Sequence, residues 1–242
     1  MLKTVHSVLL AAITTAVVLA WSALAGNPDI SAPQARTSSP PDIVGLAEVI
    51  DGDTIEIAGE RIRLEGIDAP EQGQTCPRRW AGTWACGREA TKALMTMIEG
   101  REVGCVGRGT DRYGRRLATC FTEGRDVGAE LVRSGLAWAF MRYSTAYVGE
   151  EGEARRAGRG IWQAPAMPAW EFRSQQWARA GTVQRRSDDC LIKGNVSSNG
   201  RVYHMPWSPW YDRIVMDGAA GKRWFCDEAE AMAAGWRPAS GS

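Results

Sequence analysis

From residue 43 the chain turns to short runs of strand-forming residues punctuated by Gly59, Gly66, Gly109 and Gly114. Strands are expected over 44–50, 54–57, 61–67, 101–107 and 116–122. Helical spacing fits 85–98, where Ala90, Leu94, Met97 and Ile98 share a side, then 127–134, ended by Gly135, and 149–157. Five short strands with a helix between the third and fourth fit an oligonucleotide-binding (OB) type barrel, a mainly β member of the α+β class with three helices.

Along the third strand the two-residue period puts Ile62 and Leu64 on one face and Arg63 and Glu65 on the other. A guanidinium inside a small barrel is costly, so Arg63 belongs in an outer groove, and Glu65 is read as solvated. Around Arg63 lie Asp51-Gly52-Asp53-Thr54 and Gly66-Ile67-Asp68-Ala69-Pro70-Glu71, followed much later by Asp111-Arg112-Tyr113-Gly114-Arg115. Each motif alone is an ordinary turn. Together they put hard oxygen ligands and phosphate-gripping arginines at the strand ends of one small domain, a combination suited to phosphodiester hydrolysis.

At these residues the chain resembles the staphylococcal-type thermonucleases over residues 43–162, closing with Gly160-Ile161-Trp162. The resemblance implies an OB-fold nuclease that uses calcium. Asp53 and Asp68 hold the ion together with the carbonyl of Ala69, while Asp51 supports them. Ala69 departs from the threonine of the staphylococcal enzyme, but the family's metal contact there is the backbone carbonyl. Glu71 acts on the attacking water, Arg63 and Arg115 hold the scissile phosphate, and Tyr113 and Tyr143 contact a terminal phosphate or stack on a base. The implied substrates are DNA and RNA, with single strands preferred and 3′-phosphates left.

The near-absence of histidine agrees: His6 and His204 are the only two, which excludes paired-histidine ribonuclease chemistry. Residues 1–25 carry Lys3, a short apolar run over 8–19 and Ala23-Leu24-Ala25, the pattern of a cleaved signal peptide. The expected mature protein is exported to the periplasm or medium, monomeric and not inserted in a membrane. That segment holds one of the 29 basic residues and none of the 28 acidic ones, so the remainder is formally neutral, which counts against an extended duplex-binding face. All six cysteines lie beyond it, and an even count in an exported chain favours disulfides; pairing by neighbourhood gives 76 with 86, 105 with 120 and 190 with 226.

Residues 26–42 read as a flexible leader and 163–189 as a connector with a helix over 169–179, whose Trp170 and Trp177 pack on a neighbour. Residues 190–238 form a small disulfide-stapled module, rich in tryptophan, with a capped helix after Asp227. It resembles the sunset-type module appended to some exported nuclease-like proteins. Trp80 and Trp84 are expected to pack under the loop 72–87. The competing reading of the whole chain is an envelope-associated binding protein with a nuclease-like fold, whose C-terminal module binds a cell-envelope polymer.

Overall fold

Ile43–Val49 (β1) alternates half-buried and exposed residues and pairs antiparallel with Thr54–Ile57 (β2) in the register Val49↔Ile55. A two-residue turn joins β2 to Glu60–Leu64 (β3), with Ala58 and Gly59 both at positive φ, the geometry that matches strand twist. These strands belong to a computed structural model that describes residues 40–111, 113–184, 190–198, 200–218 and 221–239. The expected signal peptide over 1–25, nearly all of the expected leader over 26–42 and the end of the expected connector lie outside the described residues.

The third strand is shorter than expected. It stops at Leu64, because Gly66 takes a φ of 76° and turns the chain, so that Ile67–Asp68 (β4) pairs with Trp138 and Ala139 instead. Then come the small ladder of Cys76–Pro77 (β5) with Thr83–Trp84 (β6), the helix Cys86–Ile98 (α1), and the hairpin of Glu102–Thr110 (β7) with Arg116–Thr122 (β8). Arg125–Asp126 (β9) leads into Val127–Arg133 (α2), where the Asp126 carboxylate accepts from Ala129 N at 3.0 Å as an N-cap. Trp138–Ala139 (β10) and Val148–Ala157 (α3) complete this part.

The sheet runs β3-β2-β1-β7-β8, and β3 then pairs parallel with β8, Arg63 opposite Leu117, so the five strands close into the expected barrel. Its interior is Ile55, Ile57, Ile62, Leu64 and Val103, capped by Leu94 of α1 and Leu131 of α2. Each such side chain contributes roughly 1.5–3 kcal/mol on burial. Cys105 and Cys120, opposite each other in the β7–β8 register, are disulfide-bonded, as are Cys76 with Cys86 and Cys190 with Cys226. The three bonds suit a non-cytoplasmic compartment. Among the described residues no helix is long and apolar enough to cross a membrane.

The connector helix Ala169–Gln184 (α4) runs further than residue 179. Beyond it, Ile192–Ser197 (β11), Gly200–His204 (β12), Lys222–Phe225 (β13), Glu228–Ala233 (α5) and Arg237–Pro238 (β14) build a second sheet in the order β13-β11-β12-β14. Asp227 caps α5 by accepting from Glu230 N at 2.7 Å. Tyr203, Phe225 and Trp236 fill its core with Trp177 of α4 against them. His204 is buried there, and burial holds its imidazole down at about 4, so it stays neutral. Trp80 departs from expectation: it is 87% exposed under the Arg79 guanidinium, because the disulfide closes the loop on Cys76 and Cys86 and leaves its tip in solvent. Trp84 packs as expected beside those two cysteines.

Candidate active site

The loop between β1 and β2 is fixed by its own acids. Asp51 Oδ1 accepts from Asp53 N at 3.0 Å, an Asx turn that aims Asp53 inward. Gly52 at the tip has no substitute, since a Cβ there would lie 2.8 Å from the Ala69 side chain. That close approach lets Asp53 Oδ2 accept from Ala69 N at 2.9 Å, tying the two acidic turns together.

Arg63 projects from the outer face of β3, as the strand period requires, and ends between two aspartates. Its Nη1 donates to Asp53 Oδ1 and its Nη2 to Asp68 Oδ1 at 2.8 Å. Asp68 reaches it only because the chain turns at Gly66, and it is fully buried. Burial pulls the Arg63 guanidinium downward, yet Asp53 and Asp68 outweigh this and hold it above its ordinary value. Burial dominates at Asp53 and raises its carboxyl despite Arg63.

Glu71 is set by a residue absent from the sequence-based site. Gln74 is buried and returns to the Glu71 backbone twice: its Oε1 accepts from Glu71 N at 3.1 Å, and its own N donates to Glu71 O at 2.7 Å. Gly87, in the first turn of α1, lies so close to Glu71 O that any Cβ would collide with it, and the neighbouring Cys76–Cys86 bond fixes this wall. Burial pushes the Glu71 carboxyl up to about 8, with Arg173 acting against the rise.

Arg115 sits at the β7–β8 hairpin end, where Asp111 accepts from Tyr113 N, Arg115 N and, at 2.7 Å, Arg115 Nε. Tyr113 packs its ring under that guanidinium. Tyr143 is 70% exposed beside Phe140. Arg63, Glu71, Tyr113, Arg115 and Tyr143 all line one cavity of about 900 Å³, while Asp53, Asp68 and Ala69 are buried behind its wall. Glu65 is not simply solvated, since Arg108 approaches it at 3.6 Å.

The far wall comes from beyond the barrel: Trp170, Arg173 and Trp177 of α4, then Tyr203, Trp207 and Glu228. Arg173 enters the acid cluster itself. Its Nη1 donates to Asp68 Oδ1 at 3.0 Å and to Glu71 Oε1 at 2.6 Å, and its Nη2 to Asp68 Oδ2 at 2.9 Å. A faint sequence signal existed: residue 173 shares a helix face with Trp170 and Trp177, so a charge stands on a packing face. Asp53, Asp68 and a backbone oxygen at residue 69 are the donor types that a hard divalent cation takes. As they stand, both oxygens of each aspartate already accept hydrogen bonds from Arg63, Arg173 or Ala69. Among the described residues no three acid, histidine or cysteine side chains are grouped to hold a metal ion.

Comparison with known proteins agrees with this geometry. Residues 61–164 match the model of the staphylococcal nuclease homologue family. The chain is 40% identical over 147 residues to a succinoglycan biosynthesis protein, ExoI, of Rhizobium meliloti, a match covering 60% of this chain and 74% of that one. It is 35% identical over 144 residues to an uncharacterized endonuclease of Escherichia coli O157:H7, covering 56% and 88%. It is also 33% identical over 146 residues to a micrococcal nuclease of Shigella flexneri, covering 53% and 78%.

Proposed function

The chain belongs to the staphylococcal nuclease homologue family and is a phosphodiester-hydrolysing nuclease, and on that premise we propose that it is an exported, calcium-dependent enzyme acting on DNA and RNA. The observation that carries the reading is the convergence of Arg63, Glu71 and Arg115 on one cavity, with Asp53 and Asp68 directly behind.

In this reading the scissile phosphate lies between Arg63 and Arg115, whose guanidiniums offset the charge that builds on its equatorial oxygens. Glu71 orients the attacking water and takes its proton. Gln74 and Gly87 hold the Glu71 backbone so that the carboxylate points at the cavity. Asp53, Asp68 and the Ala69 carbonyl would hold calcium, with Asp51 bracing the loop, and the ion would supply positive charge that offsets the charge of the reacting phosphate. Tyr113 and Tyr143 contact the terminal phosphate or a base, and cleavage leaves a 3′-phosphate.

A preference for unpaired strands is supported by the cavity, whose volume is that of a site for a small ligand rather than a duplex groove. Export is supported by the three disulfides. Residues 43–162 carry the chemistry, 163–189 connect, and 190–238 form a module that shapes access. The mature protein acts as a monomer.

The test is hydrolysis of labelled DNA and RNA by the mature protein with calcium, with magnesium and with excess chelator. Activity is expected with calcium alone, and full activity in chelator removes the metal from the proposal. A second reading, binding of an envelope polymer through the module, is favoured only by its exposed Val196 and Val215, and retention of residues 190–238 on cell-wall material tests it.

A further inference from the structure

Arg173 lies past residue 164, outside the segment that matches the family, and 105 residues from Asp68 in sequence. It nonetheless makes the most extensive contact of any side chain with the acid cluster. Three hydrogen bonds join it to Asp68 and Glu71, with Asp68 held through both oxygens in the bidentate geometry that suits a guanidinium. Asp68 is fully buried, and Arg63 and Arg173 are the groups that cover its oxygens. Both guanidiniums line the cavity, so a cation reaching Asp68 from there has to pass them.

The charges point the same way. The acids are crowded: Asp51 and Asp53 act on Glu71 beside Arg173, and Asp51 acts on Asp53 beside Arg63. Arg63 is held by two aspartates on the barrel itself. Arg173 instead arrives on α4, whose Trp170 packs on Trp138 and Phe140 of the barrel and whose Trp177 packs on Trp207 of the C-terminal module. Both ends of that helix segment are anchored, so the guanidinium is presented to the acids by the docked α4 and not by a flexible tail.

We propose that Arg173 and a divalent cation are alternative occupants of the same position: the guanidinium holds Asp68 and Glu71 in place until calcium displaces it, and so sets the calcium concentration at which the site fills. This rests on the calcium reading above. Because the two cations compete for the oxygens of Asp68, removing one strengthens the other by the free energy of the contest. Arg173 is thus a positioning residue that belongs to this chain's own C-terminal segment, in addition to the family's site.

The test is calorimetric titration of calcium, without nucleic acid, into the wild-type mature protein, Arg173→Ala and Arg173→Lys. The alanine variant should bind calcium about tenfold tighter or more, within the roughly 5–150-fold span of such couplings. Lysine, a point charge that cannot grip both oxygens of Asp68, should give an intermediate value. Equal affinity in all three proteins, or weaker binding by the alanine variant, overturns the proposal while leaving the calcium reading intact. No calcium binding by any of them overturns both. Should the alanine variant not fold, the lysine variant decides alone: tighter binding than wild type supports the exchange, and unchanged or weaker binding overturns it.

Discussion

The barrel and the C-terminal segment reach the same acids by opposite routes. In the barrel, Asp51 to Glu71 are neighbours in sequence, and two turns with one strand suffice to bring them together. The C-terminal segment has no acid or arginine motif of its own, and its contribution depends on a long helix docked through tryptophans. The barrel is held by a closed ladder around one aliphatic core, whereas the module relies on a few aromatics and the Cys190–Cys226 bond. Chemistry built from local turns is robust to what happens elsewhere; chemistry built by docking is conditional.

The sharpest way to probe that contrast is Arg63→Ala. It removes a donor aimed at the phosphate and also strands two buried aspartates, so turnover should fall by about 10²-fold or more and stability by roughly 3–5 kcal/mol. Urea unfolding beside a nuclease assay checks both, and a folded variant with near wild-type rates removes Arg63 from the mechanism. Arg115→Ala should lose about 10²-fold in turnover with a smaller change in unfolding midpoint than Arg63→Ala, because its partner Asp111 keeps the backbone N–H groups of Tyr113 and residue 115 as donors. Lysine at either position should rescue poorly.

Breaking the module comes next. Cys190→Ser with Cys226→Ser releases a 36-residue separation and should cost the module about 4 kcal/mol by loop entropy. A thermal scan should then show the module melting ahead of a barrel that still hydrolyses short single strands. One shared transition with loss of all activity would show the two regions to be inseparable.

The smallest effect is in pH dependence. A base works only when ionised, and in the ion-free protein burial raises the Glu71 carboxyl to about 8; calcium beside it lowers it from there, so the rate should fall on an acidic limb between that value and that of a free carboxyl. A pH–rate profile that stays flat down to pH 5 would take Glu71 out of the role of base, and Glu71→Gln should abolish the acidic limb.

The sequence-based reading succeeded where structure is local. The Asp51 turn, the period that turns Arg63 outward, the Asp227 cap and the closeness of each cysteine pair could all be read within a few dozen residues. Gly66 marked a turn, yet the apolar Ile67 beside it prolonged the expected strand past the real break. Arg173 was missed because its partners are set by tertiary docking; Gln74 lies three residues from Glu71, but its orientation also depends on Met167 O, 93 residues away, to which its Nε2 donates at 2.7 Å. Periodicity reports which face of a helix is buried, but not what lies against it.

The parallel closure of β3 on β8 has a consequence for the order in which a new chain becomes dangerous. Arg63 and Leu117 stand opposite each other only after the ends of a 54-residue stretch have met, the kind of distant pairing that forms late. Arg63 and Arg115 are therefore on separate pieces of a half-folded chain. On the roles proposed for the two arginines, the full grip on phosphate comes only when the barrel shuts, so an incompletely folded copy carries the acids and Arg63 without Arg115 beside them.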